Sequence, residues 1–355
     1  MKLNGQLFDP LELNSLSKLK LNDSKIPDWE KSIFYFIGEW LDEKEVIEVK
    51  TSGSTGKPKN ISLEKNRMVA SALATNSFFN LDKNKSALLC LSTEYIAGKM
   101  MIVRAFVGGF DLHIVEHSSD ALVANQTNFD FTAVVPLQLE SVLKSNKMDA
   151  LNRIKKIIVG GAALRSDLKS SLKLIKTEVW ATYGMTETIT HIALQRLNGK
   201  NQTDYFQALS NIEFQMDERD CLRIKAPEVS LDMIQTNDKV ELLNNKQFRY
   251  LGRVDFVINS GGVKLSPEIL EEKFAKHILV HFAFSSKKDP VLGEKLVLLI
   301  EGDKSENLKK EVWTQSKKAL RKFEQPKEII FVKELPKTIN GKLDRIRLKD
   351  LIVFN

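Results

Sequence analysis

Nine consecutive residues, Thr51-Ser-Gly-Ser-Thr-Gly-Lys-Pro-Lys59, pack two glycines, four hydroxyl side chains and two lysines into one short stretch. Such a loop can fold its backbone N–H groups and hydroxyls around a polyphosphate, with lysine charge offsetting the anion. It does not fit the G-x-x-x-x-G-K-[ST] pattern of the Walker loop. Thr51 stands five before Gly56, and Pro58 follows Lys57 and disfavours a direct run into a helix. The chemistry suggested is nucleotide binding without P-loop phosphotransfer; the competing reading of these nine residues alone is a Gly/Ser linker.

The elements that must hold this loop can be read from apolar spacing. Glu45 to Lys50 reads as the strand entering the loop, after a small amphipathic helix over Ile33 to Trp40. Leu63 to Phe79 has helical spacing. Ala87 to Leu91, Asp111 to Val115, Phe131 to Val135, Ile154 to Val159 and Val179 to Thr182 are apolar runs of strand length. Ile96 to Val107, Leu137 to Lys144 and Ser166 to Ile175 read as helices between them. Repeated strand–helix–strand order predicts an α/β fold, a parallel sheet flanked by helices. After Met185 the pattern turns to short strands and turns, a β-rich end to this first domain, expected over 1–252. From 253 to 355, helices at Pro267 to Ala275 and Ser305 to Lys322 alternate with strands at Leu279 to Phe284, Lys295 to Ile300 and Glu328 to Phe331. That pattern predicts a small α+β domain.

At 355 residues, 43% hydrophobic and 28% charged, the chain has the composition of an ordinary globular protein large enough for two cores. Its formal charge of +7 suggests anionic partners, yet the lysines are scattered and not interleaved with aromatics, which argues against nucleic acid. No run approaches the ~20 apolar residues of a membrane span, and the N-terminal Met1-Lys-Leu-Asn-Gly lacks an apolar signal core. Cys90 and Cys221 are far apart without metal-ligand spacing, so reduced thiols in the cytoplasm are expected. His113-Ile-Val-Glu-His117 matches the H-x-x-E-H zinc pattern, but it follows Gly108-Gly109 and reads as a strand. A strand would set the two histidines ~13 Å apart, too far to share a metal. His277 and His281 are also four apart, with no third ligand nearby, and read as a helix end running into a strand.

Four further segments stand in order behind the loop: Ala181-Thr-Tyr-Gly-Met-Thr-Glu187, Gln235-Thr-Asn-Asp238, Leu251-Gly-Arg-Val-Asp255 and Pro336-Lys-Thr-Ile-Asn-Gly-Lys342. With Thr51–Lys59 they resemble the signatures of the adenylate-forming superfamily of acyl- and aryl-CoA synthetases, peptide-synthetase adenylation domains and luciferases. The resemblance implies ATP, Mg²⁺ and coenzyme A as reactants, a carboxylic acid as substrate, and a C-terminal domain that swings between two half-reactions. It assigns Thr51, Ser52, Gly53, Ser54, Thr55, Gly56 and Lys57 to the β- and γ-phosphates. Gly160, Gly161 and Ala162 would lie along the purine, with a plain βα turn as the lesser alternative. Thr182, Tyr183, Gly184 and Met185 would line the nucleotide, with the Tyr183 ring against adenine. Thr186 would meet the α-phosphate and Glu187 would ligate Mg²⁺. Asp238 and Arg253 are assigned to the ribose hydroxyls; the family's usual Thr-Gly-Asp is here Thr236-Asn-Asp, a mild departure because Asn tolerates the same turn. Asp255 matches the hinge, Lys342 the lysine bridging carboxylate and α-phosphate, and Gly261, Gly262 and Lys264 the pantetheine tunnel. A homodimer is compatible with the resemblance.

Within the family the chain most resembles o-succinylbenzoate–CoA ligases of menaquinone biosynthesis in shortened form. Only 50 residues precede the phosphate loop, no carrier domain is attached, and Tyr95-Ile-Ala-Gly-Lys-Met-Met-Ile-Val-Arg104 and Thr188-Ile-Thr-His191 resemble that ligase's acid-side segments. A dicarboxylate needs cations or donors beyond the single reacting end. Lys99, Arg104 and His191 are the candidates, with Tyr95 as a pocket wall; surface charges or helix caps are the bland reading of the same three. Arg104 lies five residues past Lys99, roughly 140° around a helix, so the two should not meet one group. Other aryl or acyl acids, and a stand-alone adenylating enzyme that loads a carrier protein, remain as rival expectations.

Overall fold

The computed structural model describes residues 1–50, 60–124, 126–145, 147–162, 164, 166–338 and 343–353. Within them the expected α/β domain forms around one continuous sheet of thirteen strands. Its parallel half contains Asp111–Ile114, Ser86–Leu89, Phe129–Val134, Ile154–Val159 and Glu178–Gly184. The three inner strands, Ser86–Leu89, Phe129–Val134 and Ile154–Val159, are largely buried on both faces, which is why they read as apolar runs. Ile157 and Ile158, adjacent in one strand, enter different cores on opposite sides of the sheet. Helices Lys65–Phe79 and Ile96–Gly108 pack on one face with Met68, Phe79, Met100 and Phe131. Helix Pro136–Lys144 covers the other with Leu139 and Val142.

The β-rich end is not a separate sheet. Strand His191–Arg196 pairs antiparallel with Glu178–Gly184, and Phe206–Ala208, Gln247–Arg253, Ile234–Asn244, Cys221–Lys225 and Glu213–Met216 follow outward in the same sheet. The sheet therefore changes from parallel to antiparallel at Glu178–Gly184, the strand that ends in the Tyr183–Glu187 segment. Strand ends at such a change of direction are where α/β sheets form crevices for ligands.

The strand expected to enter the phosphate loop is Val46–Lys50, and it pairs antiparallel with Asn60–Glu64. Lys50 faces Asn60 in register, so the nine loop residues connect the two ends of one hairpin. Residues 51–59 themselves lie outside the described residues. The helix expected from Leu63 begins instead at Lys65, because 60–64 are taken by this strand. Near the start, helix Pro10–Asn22 is an addition to the sequence reading; Asp9 caps it and Glu12 completes the capping box.

Beyond Arg253, strands Ile258–Ser260, Val263–Leu265, Phe282–Asp289, Gly293–Glu301 and Glu328–Val332 make a second sheet. Helices Pro267–Phe274 and Glu306–Ala319 pack on it through Phe274, Phe284, Leu298 and Val312, and Arg345–Val353 closes the other face through Leu348 and Ile352. This is the expected small α+β unit. The strand placed at Leu279 starts three residues later, at Phe282, and Leu279 is fully in solvent.

Candidate functional site

The site is built from the ends of strands that meet where the large sheet changes direction. Glu178–Gly184 delivers Tyr183, and Gln247–Arg253 pairs in register with Ile234–Asn244 so that Arg253 stands directly opposite Asp238. The Tyr183 hydroxyl donates to Asp238 Oδ2 at 2.5 Å, and Arg253 Nη1 donates to Asp238 Oδ1 at 3.2 Å. One carboxylate is thus held by two of the residues assigned to the nucleoside. Burial, then the Asp238 charge, hold the Tyr183 phenol well above its ordinary value, so it stays a donor. The Tyr183 ring packs edge-on to Phe248 and beside Phe206, inside an aromatic cluster that fixes its plane.

Arg253 turns its other edge to Asp255. Its Nη2 and Nε lie 2.5 Å and 3.1 Å from Asp255 Oδ2, and Asn237 Nδ2 donates to Asp255 Oδ1 at 3.0 Å. Burial lowers the Arg253 guanidinium, but hydrogen bonding to Asp255 and the charges of Asp238 and Asp255 outweigh it and raise the pKa. The residue assigned to the hinge is therefore tied to a residue assigned to ribose. The chain folds back here as well: Ser266 Oγ donates to the Leu251 carbonyl at 2.8 Å and approaches Glu268 Oε2 at 3.1 Å.

Gly184 has a reason that the sequence does not reveal. A Cβ there would stand 2.3 Å from the Thr190 carbonyl oxygen and 2.6 Å from His191 Cα. Its missing side chain is replaced by returning backbone, and that backbone is sharply turned. Ile189 sits at φ 64°, ψ −57°, and Thr190 N donates to Thr188 O at 2.6 Å, a γ-turn of the rarer, strained hand. Positive φ in a β-branched residue is an outlier. The turn leaves Glu187 exposed and Thr186 half-buried at the strand end. Magnesium typically takes only one or two protein carboxylates together with phosphate oxygens and water. An exposed Glu187 fits that demand.

Gly160 abuts Thr182, whose Oγ1 would lie 2.5 Å from an added Cβ. Gly161 follows at φ 87°, and Ala162 is half-buried beside it. Met185 is half-buried next to Thr188, whose hydroxyl accepts from the Met185 N–H at 2.9 Å. Gly261 and Gly262 both have positive φ in the two-residue turn between Ile258–Ser260 and Val263–Leu265, which is what such a hairpin turn requires. Lys264 follows, exposed. Thr51, Ser52, Gly53, Ser54, Thr55, Gly56, Lys57 and Lys342 lie outside the described residues.

On the acid side, helix Ile96–Gly108 separates the predicted residues. Tyr95 caps its start, 41% exposed. Lys99 is drawn to helix Asp28–Leu41: its Nζ lies 3.5 Å from Glu39 and 4.4 Å from the Phe36 ring centroid. That partner takes Lys99 away from Arg104, as the 140° spacing requires. Arg104 is 1% exposed, and no carboxylate pairs with it among the described residues. Its Nη2 donates to Thr190 Oγ1 at 3.4 Å, Nη1 approaches Met101 S at 3.8 Å, and Nε has no partner among the described residues. Desolvation alone pulls its pKa down to about 9. His191 is buried beside it, Nδ1 3.3 Å from Thr190 Oγ1 and Nε2 3.2 Å from Thr75 Oγ1. Desolvation, then the Arg104 charge, lower the His191 pKa well below its usual value. That direction favours the neutral ring, so of the two expected roles, cation or hydrogen-bond donor, His191 suits the donor. Thr75 and Thr190 are the additions to the predicted site. Thr190 lay inside a quoted segment, whereas Thr75 had no signal beyond being a small polar residue in an apolar helix.

The H-x-x-E-H stretch does contain a strand, Asp111–Ile114, and His113 bonds to Asp111 at 3.2 Å. Among the described residues no group of three or more metal-binding side chains occurs, and no helix is long and apolar enough to cross a membrane.

Known proteins can be set beside this geometry. Residues 49–214 match the family model "AMP-binding enzyme", and residues 270–342 match "AMP-binding enzyme C-terminal domain". A crystal structure of an acyl-CoA synthetase (AMP-forming)/AMP-acid ligase II-like protein from Dyadobacter fermentans is 33% identical. The match covers 96% of this chain and 98% of that one, with a TM-score of 0.64. The 2-succinylbenzoate–CoA ligase of Lactococcus lactis is 23% identical over 332 residues, 88% of this chain and 72% of the relative. O-succinylbenzoate CoA synthetase from Bacillus subtilis, solved with its acyl-adenylate intermediate, shares the fold at a TM-score of 0.71 and 22% identity, over 85% of this chain and 68% of that one. The chain belongs to the adenylate-forming superfamily of AMP-binding enzymes, as an AMP-forming acid–CoA ligase.

Proposed function

We propose that the acid is an aromatic dicarboxylate, o-succinylbenzoate, and that the enzyme forms o-succinylbenzoyl-CoA for menaquinone biosynthesis in a reducing, cytoplasmic setting. The observation that carries this reading is Arg104. A buried guanidinium without a counter-ion is costly, by several kcal/mol even after relaxation. A substrate with a carboxylate to spare supplies that counter-ion, whereas a monocarboxylic acid does not. The similarity to 2-succinylbenzoate–CoA ligases points the same way.

In the first half-reaction a carboxylate oxygen attacks the α-phosphorus of ATP and pyrophosphate leaves. In the second, the CoA sulfur attacks the acyl carbonyl and AMP leaves. Thr51 to Lys57 hold the β- and γ-phosphates in this scheme, and Thr186 donates to the α-phosphate. Lys342 bridges the reacting anions, and the opposed Asp238 and Arg253 orient the ribose. Gly160, Gly161, Ala162, Thr182 and Tyr183 border the adenine. Glu187 would hold the Mg²⁺ that arrives with ATP and offsets phosphate charge. Gly261, Gly262 and Lys264 border the thiol's approach after the domain swings at Asp255.

The test is pyrophosphate release with ATP, Mg²⁺ and a panel of acids (o-succinylbenzoate, benzoate, a coumarate-type acid, acetate, a medium-chain fatty acid), with and without CoA. Preference for o-succinylbenzoate, lost in Arg104→Met, is the expected result. Equal preference in that variant sinks the dicarboxylate reading, and turnover indifferent to CoA transfers the protein to the carrier-loading class.

A further inference from the structure

Two hydroxyls and one imidazole beside Arg104 form a chain whose hydrogen directions can be worked out. Thr75 Oγ1 lies 3.1 Å from the Ser71 carbonyl, one turn back in its helix. A carbonyl can only accept, so the single Thr75 hydrogen goes there. Thr75 must then accept from the group facing it, and His191 Nε2 carries the proton. A neutral ring with Nε2–H has a bare Nδ1, which accepts the Thr190 hydroxyl hydrogen. The Thr190 oxygen, its hydrogen committed, accepts from Arg104 Nη2. Each group gives one hydrogen and takes one, in a single direction from Arg104 to Ser71.

We propose that Thr190, His191 and Thr75 are positioning residues, a neutral chain that fixes the direction of the Arg104 guanidinium without any of them touching the acid. This rests on the reading of Arg104 as the partner of the second carboxylate. The chain runs through three elements: helix Lys65–Phe79, helix Ile96–Gly108 and the start of strand His191–Arg196. The strained turn at Ile189 sets the Thr190 hydroxyl toward both partners. It also puts the Thr190 carbonyl against Gly184, so the acid-side cation and the nucleotide strand are held by one segment of backbone. A charged His191 breaks the arrangement. Thr190 Oγ1 would have to take a hydrogen from both the ring and Arg104, and two cations would adjoin without a counter-ion. That is why an imidazole serves here as a directional spacer.

The test has two arms on the full chain. Nitrogen-15 NMR at pH 7, with the His191 signals assigned by their loss in His191→Gln, should report a protonated Nε2 and a bare Nδ1. An Nδ1–H tautomer or an imidazolium overturns the chain whatever the substrate. In the kinetic arm, Thr190→Val should raise the KM for o-succinylbenzoate about tenfold, with the loss falling on KM more than kcat and the KM for ATP unmoved. Thr190→Ser should restore it, and benzoate should show no difference. If Arg104→Met removes the preference for o-succinylbenzoate but Thr190→Val does not, the chain is refuted and the dicarboxylate reading stands. If Arg104→Met leaves the preference intact, the dicarboxylate reading falls, and the NMR arm alone decides the chain.

Discussion

At the scale of single residues, the candidate site is a set of side chains whose partners fix their protonation and aim. Asp238 receives both the Tyr183 phenol and the Arg253 guanidinium. Tyr183→Phe should keep the ring in its aromatic cluster and remove one hydrogen bond, worth about 1.5–3 kcal/mol to a charged acceptor. A several-fold rise in the KM for ATP with a lowered melting temperature is expected; an unchanged KM would leave the hydroxyl without a role in nucleotide binding. His191 gives a pH prediction. Its folded pKa lies well below the 6.5 of the unfolded chain, so the unfolded state binds the proton that the folded state refuses. Stability therefore falls as pH drops from about 6.5, by at most about 1.4 kcal/mol per pH unit from this group. Denaturant titrations of His191→Gln between pH 5 and 7 should show a shallower slope than the parent chain.

At the scale of elements, the parallel strands and most helices were legible because strands buried on both faces read as apolar runs of fixed length. What escaped was polar, short or imposed from outside. Asn60–Glu64 alternates exposed and buried residues over only five positions, so helical spacing from Leu63 absorbed it. The turn at Ile189 could not be read, because a β-branched residue is among the last expected at positive φ. Helix spacing already separated Lys99 from Arg104 in the sequence, but where Lys99 goes could not be read, because Glu39, sixty residues earlier, decides it. Gly184 was recognised by motif but for the nucleotide's sake, when its Cβ would collide with Thr190. Gly184→Ala should then cost about 1–3 kcal/mol of stability, seen as a lowered melting temperature, and should depress adenylate formation as Thr190 is displaced. Gly262→Ala meets nothing within 4 Å and bears only the backbone penalty of its φ of 82°, about 1–2 kcal/mol. A larger loss at Gly262 than at Gly184 would contradict both assignments.

At the scale of the whole molecule, two sheets are joined through Val254–Phe256, and Asp255 there answers to Arg253 and Asn237 on the large domain's side. The proposed swing at Asp255 would separate the two half-reactions by position. Lys342→Ala should abolish adenylate formation yet leave thioester formation from supplied acyl-adenylate largely intact. Asp255→Pro should arrest one half-reaction selectively, and uniform loss of both with a lowered melting temperature would mean misfolding instead. The isolated charge of Arg104 has a consequence on another timescale. A protein that keeps a lone cation in its interior is less stable than its neighbours in sequence space; Arg104→Met should gain about 1–4 kcal/mol, visible as a raised melting temperature. Selection for stability alone would erase that arginine. On the proposed dicarboxylate reading its retention would depend on the acid, so lineages that change substrate should lose this residue early, grow more robust, and find the return to a dicarboxylate uphill.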